Sequence, residues 1–429
     1  MARTSLYPPS VDPGFPELLP PPEGWRRTTF GELVEVIERP LKLNPAERYR
    51  LLTARRNRGG ITLRGEMDGR EILTKTQFEV HGGDFLISRR QIIHGACGVV
   101  PGPLHGAVVS NEYSTLRTRP GLAMEFLQHF SHSPYFQRTC FHSSHGVDVE
   151  KMIFKIDEWL AREVNIAPLP EQKKIAAILS SVDAAIEATE AVIEQLQVVK
   201  KAMMAELFTR GILGRHTKFK MTEIGEVPEE WAVAPIGSLS AVTSGGTPSR
   251  DRPDFWGGGI PWVKTGEINY DDIFETEESI SETGVANSSA KVVPAGSLLM
   301  AMYGQGATRG RVAVLGIDAA LNQACLAILP GDKLSTRFLF HVLTDRYEQL
   351  RSLGHEGTQK NLNAALVKQV VVPVPPRDEQ ADIVSVLDSL NRRSGIEQAI
   401  ASASRDAMAA LMSVLLTGEV RVKPDEVAA

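Results

Sequence analysis

The sequence predicts an α+β protein with two tandem globular α/β-mixed domains, separated by two long antiparallel helices that form an intramolecular coiled coil with pseudo-two-fold symmetry. Two observations predict this fold class. Residues 22–25 and 30–33 recur 206 residues later, and the Glu171-Gln172 pair recurs 208 residues later as Glu379-Gln380. Each half also closes on a long apolar repeat. A near-constant offset at both ends of each half indicates a duplicated unit.

The repeat divides the chain into a flexible proline-rich extension, two globular segments, two helical segments and a tail. A proline-rich stretch without apolar periodicity favours an extended arm over a packed element. The expected boundaries are 1–24 for the extension, 25–168 and 214–372 for the globular segments, 169–213 and 373–418 for the helical segments, and 419–429 for the tail.

The first long helix is expected from Pro170 to the glycines Gly211 and Gly214. Proline is tolerated in a first turn, and glycine ends helices. Apolar residues spaced four and three apart predict a coiled-coil seam with two polar interruptions. The seam consists of Ile175, Leu179, Val182, Ile186, Thr189, Ile193, Leu196, Lys200, Met203 and Leu207.

The second long helix, expected from Asp378 to Thr417, repeats this pattern at its ends through Ile383, Leu387, Leu390, Leu411 and Leu415. The apolar pattern is weaker in the middle of this helix. Ser394, Glu397, Ala401 and Ser404 occupy the seam positions, while Ile396 and Ile400 predict a locally shifted apolar stripe. A helix of about 38 residues is roughly 57 Å long, which would hold two domains apart.

The globular segments combine short β-like runs with one or two helices each. Residues 83–87, 296–300 and 311–315 are β-like runs flanked by glycine and proline, which predicts short strands. Helical patterns at 125–130 and 337–350 fall at the same place in both halves. This mixture predicts α+β domains.

Charge and composition limit the possible partners and compartments. The net charge of −5 argues against wholesale coating of DNA, but residues 39–90 carry 12 basic and 6 acidic side chains and are locally about +6. This segment is either a DNA-facing patch or a solvated face. With no apolar stretch long enough to cross a bilayer and no signal pattern, we expect a cytoplasmic protein. The three cysteines fall in no CxxC pair and are expected to be buried.

Several motifs resemble the specificity subunit of type I restriction-modification systems over essentially the whole chain after residue 22. The Pro-Glu-Gln segment at 168–172 and the Pro-Pro-Arg-Asp-Glu-Gln segment at 375–380 are similar to the starts of that family's two helical regions. Residues 222–231, 244–248 and 259–263 resemble the beginning of its second recognition domain. The first half has no Ser-Gly-Gly-Thr-Pro counterpart, which leaves its half-site sequence open.

The resemblance implies that each globular segment is a target-recognition domain reading one half of an asymmetric bipartite site in double-stranded DNA. It also implies partners: two methyltransferase subunits docked largely on the helices, and restriction/translocase subunits. The sequence lacks a phosphate-binding GxxxxGK[ST] loop and an Asn-Pro-Pro-Tyr-like methyltransferase motif, so we expect no catalysis and no cofactor in this chain. S-adenosylmethionine, ATP and Mg would be used by the partner subunits for adenine-N6 methylation and DNA cleavage.

Base reading requires forked or amide side chains on loops that enter a groove. Two glycine-bounded polar loops in the second half, 303–309 and 357–361, supply such side chains, and their first-half counterparts are 88–91 and 143–146. Each could instead be an ordinary surface turn. The candidate DNA-binding residues are Arg55, Arg56, Arg58, Arg64, Arg89, Arg90, Gln91, His145, Thr247, Lys264, Tyr303, Gln305, Arg309, Thr358, Gln359, Lys360 and Asn361.

Three alternatives stay open at this point. Trp262 and Lys264 could stack on a base and touch phosphate, or be a core residue and a solvated cation. His129, His132, Cys140, His142 and His145 have a spacing compatible with zinc, although we expect no metal because the second half lacks matching ligands. The whole chain could be a coiled-coil scaffold or adaptor that never touches DNA, or an enzyme with divergent motifs.

Overall fold

The computed structural model describes residues 17–304, 307–353 and 361–423 and consists of two compact units. The first unit contains the chain up to Thr189 together with the residues from Ile400 onwards, and the second contains Glu190–Ala399. Each unit therefore holds one globular segment and a part of each long helix.

The first unit contains thirteen strands and four short helices in its described part, followed by the first long helix. Its helices are α1 (Phe30–Leu33), α2 (Met124–Phe130), α3 (Pro134–His142), α4 (Ile156–Leu160) and α5 (Leu169–Leu207), the last of which continues into the second unit. Its strands are β1 (Arg26–Thr29), β2 (Val34–Val36), β3 (Pro40–Leu41), β4 (Arg48–Ala54), β5 (Ile61–Asp68), β6 (Gln77–Val80), β7 (Phe85–Ser88), β8 (Cys97–Val99), β9 (Ala107–Ser110), β10 (Tyr113–Thr118), β11 (Ser144–His145), β12 (Ile153–Phe154) and β13 (Glu163–Ile166).

The second unit has a matching series. Its helices are α6 (Ile236–Leu239), α7 (Glu282–Ala286), α8 (Thr336–Asp345), α9 (Tyr347–Ser352), α10 (Ala364–Gln369) and α11 (Arg377–Leu415). Its strands are β14 (Phe219–Thr222), β15 (Gly225–Pro228), β16 (Ala232–Pro235), β17 (Val242–Ser244), β18 (Trp256–Val263), β19 (Asp272–Ile273), β20 (Glu278–Ile280), β21 (Val292–Val293), β22 (Leu298–Ala301), β23 (Val312–Leu315), β24 (Ala319–Leu321), β25 (Cys325–Ile328) and β26 (Val371–Val374).

Both units are built on the same central antiparallel sheet. Its strand order is β2-β10-β7-β8 in the first unit and β17-β25-β22-β23, extended by β19, in the second. Strands β7 and β22 are buried at every position, which explains their continuous apolar runs. Gly83 and Gly296 precede them with φ of 90° and 81°, a left-handed conformation that glycine adopts without strain. The duplication predicted from the sequence is therefore also a duplication of topology.

Each unit carries a second sheet that differs between the halves. The first unit has a five-stranded sheet, β3-β6-β9-β4-β5, while the second has a four-stranded sheet, β20-β18-β24-β21. Aromatic packing fills the main core of the first unit: Phe30 stacks on Trp159 at 4.1 Å, and Phe136 meets Trp159 edge-on at 5.4 Å. The two units share one framework and differ in the sheet added to it.

A buried tryptophan, glutamate and glutamine attach each globular segment to the start of its long helix. In the first unit, Trp25 Nε1 donates to Glu171 at 3.2 Å, and Arg421 donates to the same carboxylate through Nε and Nη2 at 2.8 Å each. In the second unit, Trp231 Nε1 donates to Glu379 at 2.9 Å, and His216 Nε2 lies 2.8 Å from it. The sequence repeat is thus a repeated buried polar contact.

The glutamine next to each of these glutamates bridges three backbone segments. Gln172 accepts from the Ala123 amide at 2.9 Å and donates to the carbonyls of Gly121 and Ala167 at 2.8 Å. Gln380 accepts from the amide of Ser335 at 2.7 Å and donates to two further carbonyls, of Lys333 and Pro375. A buried amide with all these groups paired stabilises and orients the helix start. Conservation of this arrangement between the halves explains the Glu-Gln repeat.

The two long helices run antiparallel within each unit. In the first unit, Ile175 and Leu179 at the start of α5 share one core with Met408 and Leu415 near the end of α11. In the second, Leu207 at the end of α5 shares a core with Ile383 and Leu387 at the start of α11. The predicted coiled-coil pairing of the helices is confirmed.

The predicted shift of the apolar stripe in the middle of α11 is wrong. Ala401 is 1% exposed and Glu397 is 7% exposed, whereas Ile396 and Ile400 are 55% and 47% exposed. The seam therefore keeps its register through small and polar residues, and the isoleucines lie outside it. The heptad spacing of the helix ends fixes the register, because one continuous helix cannot rotate its middle alone.

Candidate nucleic-acid interface

In each unit a backbone hydrogen bond forms next to the predicted polar loop that follows the central strand. The Phe154 amide donates to the Arg89 carbonyl at 2.8 Å in the first unit, and the Leu362 amide donates to the Met302 carbonyl at 3.1 Å in the second. Arg89 directly follows β7, and Met302 directly follows the equivalent strand β22. The same backbone contact is therefore made at the end of the central strand in each half.

In the first unit this place is lined by charged residues. A shallow cleft of about 130 Å³ is lined by Arg89, Arg90, Asn111, Glu112 and Ile153. The Arg90 guanidinium forms an ion pair with Glu112, and Arg89 Nη1 lies 3.4 Å from the Asn111 carbonyl. Arg89 is half-buried and Arg90 exposed. A guanidinium on such a rim can exchange its carboxylate partner for a phosphate or a guanine edge.

The turn between β4 and β5 carries the arginine-rich run predicted as a DNA-facing patch. Asn57 and Arg58, the two central residues of this turn, have φ of 56° and 62°, a strained conformation for residues other than glycine. Arg55 Nε donates to Thr62 at 3.1 Å, and Arg56 Nε donates to Gln91 at 2.6 Å. The turn thus joins Arg56 to the loop after β7, although the two are 35 residues apart.

Two other arginines of the run lie apart from this contact. The Arg58 side chain lies over Gly95, where its Cγ would be 3.3 Å from an added Cβ, and desolvation lowers the pKa of its guanidinium. Arg64 lies on β5, an edge strand of the five-stranded sheet, and lines a different groove with Met67 and Tyr113. Of the run, Arg56 is hydrogen-bonded to the loop after β7, whereas the Arg55 side chain contacts Thr62 within its own hairpin.

The histidines in segment 129–145 of the first unit have different surroundings and different partners. His145 is exposed on β11, and its Nε2 lies 2.7 Å from Glu158. His129 Nε2 lies 2.9 Å from Ser180 on α5, and burial lowers the pKa of His132 to about 4. Cys140 is fully buried. Within the described ranges, no group of three or more His, Cys, Asp or Glu side chains is placed to hold a metal ion.

In the second unit, part of the predicted site lies outside the described residues: Gln305, Thr358, Gln359 and Lys360. Of the rest, Tyr303 is 39% exposed, and Asn361 is exposed beside the Leu362 backbone contact. Arg309 Nη2 donates to the Arg351 carbonyl at 3.2 Å. Tyr303, Arg309 and Asn361 therefore lie on segments beside the end of β22, the position equivalent to the end of β7 in the first unit.

The structure adds an aromatic and basic cluster that the sequence did not predict. Tyr347 Oη donates to the Ala307 carbonyl at 2.5 Å, and Arg351 Nη1 donates to Tyr347 Oη at 2.5 Å. Tyr270 lies 6.1 Å from the Tyr347 ring and has a φ of 66°, which is rare for a bulky residue and typical of functional sites. Arg311 lies 5.9 Å from the Tyr270 ring centre. Of these four residues, only Arg311 lies next to the predicted loop 303–309 in the sequence, so only Arg311 could have been found from that prediction.

Lys264 directly follows β18, and Thr247 lies in the segment between β17 and β18. Lys264 Nζ lies 2.5 Å from Glu277 and 3.3 Å from Glu278, and the hydrogen bond to Glu277 raises its pKa. Trp262 is 1% exposed and donates to the Gly246 carbonyl at 3.0 Å, so the idea that it stacks on a base is wrong and the core alternative holds. The Thr247 hydroxyl is buried without a hydrogen bond among the described groups.

The Ser-Gly-Gly-Thr-Pro motif has a packing explanation. A Cβ on Gly245 would lie 2.3 Å from the Leu321 and Asn322 carbonyls, and one on Gly246 would lie 2.3 Å from the Ser289 backbone. Real Cβ atoms do not approach backbone this closely. The two glycines therefore allow this segment to pass between β24 and the segment before β21, and the motif shapes the domain.

Comparisons with known proteins agree with this architecture. Residues 228–403 match the family described as the type I restriction modification DNA specificity domain. The MjaVIII specificity subunit of Methanocaldococcus jannaschii is 28% identical over 271 residues, covering 61% of this chain and 63% of that protein. The MjaIX specificity subunit of the same organism is 31% identical over 176 residues, or 40% of each chain. The chain thus aligns with less than two thirds of the length of these relatives.

Two solved structures share the fold over nearly the whole chain. One, from a study of complex assembly and conformational transition of the type I R-M system, has a TM-score of 0.58 at 17% identity and covers 94% of this chain and 100% of its own. The type I restriction-modification S subunit from M. genitalium has a TM-score of 0.57 at 14% identity, covering 94% and 99%.

The duplicated α+β unit, with a long helix after each globular segment, defines a class of two-domain proteins joined through paired helices. Residues 228–403 of this chain carry the similarity to the type I restriction modification DNA specificity domain, and the solved structures show the same fold over nearly the whole chain. Among the described residues, no helix is both long and apolar enough to cross a membrane.

Proposed function

We propose that this chain is the non-catalytic DNA-specificity subunit of a type I restriction-modification complex and binds an asymmetric bipartite site in double-stranded DNA. The observation that carries the proposal is the repeated contact beside β7 and β22, which gives each unit one polar cluster at the same place. The clusters differ in composition, with Arg56 and Gln91 in the first and Tyr303 and Asn361 in the second. Two recognition surfaces with different side chains recognise two half-sites with different base sequences.

The partners in this proposal are two methyltransferase subunits, docked largely on α5 and α11, together with restriction/translocase subunits. The exposed apolar side chains of the long helices support helix docking: Val198 is 63% exposed, Ile396 55%, Ile400 47% and Val192 41%. Ile396 and Ile400 lie one turn apart on α11, and neighbouring exposed apolar side chains on one helix face favour a protein partner. The partners would supply S-adenosylmethionine, ATP and Mg for adenine-N6 methylation and for cleavage, and the complex would act in the cytoplasm.

The test is to map methylated adenines in cells that carry the partner methyltransferase, with and without this gene. We expect one bipartite methylated motif that disappears on deletion. Two matched variants assign the halves: Gln91→Ala should relax only one half-site, and Asn361→Ala only the other. An unchanged methylome on deletion in an otherwise active system would refute the proposal in favour of a scaffold that never reads DNA.

A further inference from the structure

Four side chains from three distant segments meet beside the loop 88–91 of the first unit. Arg56 comes from the β4–β5 turn, Gln91 and His94 follow β7, and Glu150 lies in the short helical turn Val149–Lys151. Arg56 Nη2 is 2.7 Å from Glu150 Oε2, and His94 Nε2 is 3.0 Å from Glu150 Oε1. The Asn57 amide also donates to the His94 carbonyl at 2.7 Å. Glu150 was not among the residues predicted from the sequence.

Arg56 is placed to orient its neighbours. Its Nε donates to Gln91 Oε1 at 2.6 Å, while its Nη2 holds Glu150, so one planar guanidinium fixes an amide and a carboxylate at once. With its carbonyl oxygen taken by Arg56, the Gln91 amide presents its NH₂ group as the remaining polar end. The hairpin that carries Glu150 is also tightly closed, because a Cβ on Gly146 would lie 2.7 Å from the Lys151 carbonyl.

A carboxylate in this position restricts what the surface can bind. Glu150 is 55% exposed, lies among arginines that suit DNA, and accepts hydrogen bonds only. It would repel a phosphate, but it can accept from an exocyclic amino group of cytosine or adenine in the major groove. The neighbouring Arg56 and His94 lower the free-energy cost of removing water from the Glu150 carboxylate when DNA binds.

We propose that Glu150 is a specificity-determining residue that accepts a hydrogen bond from an exocyclic base amino group in the major groove, with Arg56 as its positioning residue. This rests on the proposed function, since it assigns one base contact within the first half-site. A good base contact of this kind discriminates against the wrong base by about 5- to 100-fold.

The experiment uses the full chain assembled with its methyltransferase partner and measures binding to a set of duplexes in which each base pair of the methylated motif is changed in turn. The variant is Glu150→Ala, which removes both acceptor oxygens. Arg56→Lys is a second variant, because a single ammonium cannot hold both the amide and the carboxylate. The control is Glu66→Gln, which removes the Glu66–Arg48 ion pair of 3.1 Å from the same β4–β5 hairpin.

We expect Glu150→Ala to reduce discrimination about 5- to 100-fold at a single base pair of one half-site. Arg56→Lys should relax the same base pair, and Glu66→Gln should change none. Full discrimination at every position in Glu150→Ala would overturn the inference. An equal loss of affinity for all duplexes, with an unchanged midpoint of thermal unfolding, would also overturn the inference. Glu150 would then affect only the charge of the surface or the structure of the loop. A wild-type complex without any sequence preference would instead reject the proposed function itself.

Discussion

The buried carboxylate of Glu171 is expected to contribute strongly to the stability of the first unit. Glu171 is 2% exposed and accepts hydrogen bonds from Trp25, from Arg421 through two nitrogens and from the Val422 amide. Breaking a buried ion pair costs about 3–5 kcal/mol. Arg421 is 40% exposed and regains water, and glutamine retains one acceptor, so we expect Glu171→Gln to lower the free energy of unfolding by about 2 kcal/mol.

The pH dependence of this effect follows from the Glu171 pKa. Burial alone would raise it, but the hydrogen bonds from Arg421 and Val422 and the Arg421 charge hold the pKa below its ordinary value of 4.5. A carboxyl with a lowered folded-state pKa contributes stability that is present above the unfolded-state pKa and lost as pH falls through the folded-state pKa. The gap between wild type and Glu171→Gln should therefore be full at pH 7 and shrink below about pH 4.5.

Thermal unfolding of the full chain, with hydrogen exchange of β1 and β13 to identify the first-unit transition, measures both effects. For a unit of this size, about 2 kcal/mol corresponds to a midpoint shift of roughly 4–8 °C. The control is Glu163→Gln, because Glu163 is 60% exposed and 4.0 Å from Arg27, and it should change stability by less than about 0.5 kcal/mol. A Glu171→Gln midpoint equal to wild type at pH 7, or a gap that persists unchanged to pH 3, would refute the reasoning.

Three further predictions concern the second unit. Burial lowers the His341 pKa to about 4, so the folded state binds fewer protons than the unfolded state between about pH 6.5 and 4; acidification over this range should cost up to about 3 kcal/mol, and His341→Gln should flatten the pH profile of urea unfolding. Gly246→Ala should destabilise by more than about 3 kcal/mol in the same assay, whereas Gly259→Ala, where an added Cβ meets nothing within 4 Å, should cost about 1 kcal/mol or less. Gln380→Ala should cost about 2–4 kcal/mol because the Ser335 amide and two carbonyls lose their partner; a loss under 0.5 kcal/mol would contradict the bridging role.

The repeated features of this protein were accessible from the sequence because they depend on local spacing. The heptad pattern predicted both long helices, and their ends lie close to the expected residues: Leu169–Leu207 and Arg377–Leu415. The Glu-Gln repeat predicted an equivalent helix start in both halves. A period of 3.5 residues, or a run of apolar residues beside glycine, is readable without knowing the rest of the fold.

What only the tertiary structure decided is which distant side chains meet. Arg56 and Glu150 are 94 residues apart, and the ring of Tyr270 lies beside that of Tyr347 through the folding of separate segments. No periodicity encodes such contacts, because they arise from sheet order and from loop closure. The sequence by itself therefore determined the duplicated helical framework and the loops that follow its central strands, while the composition of each polar cluster was set by long-range packing.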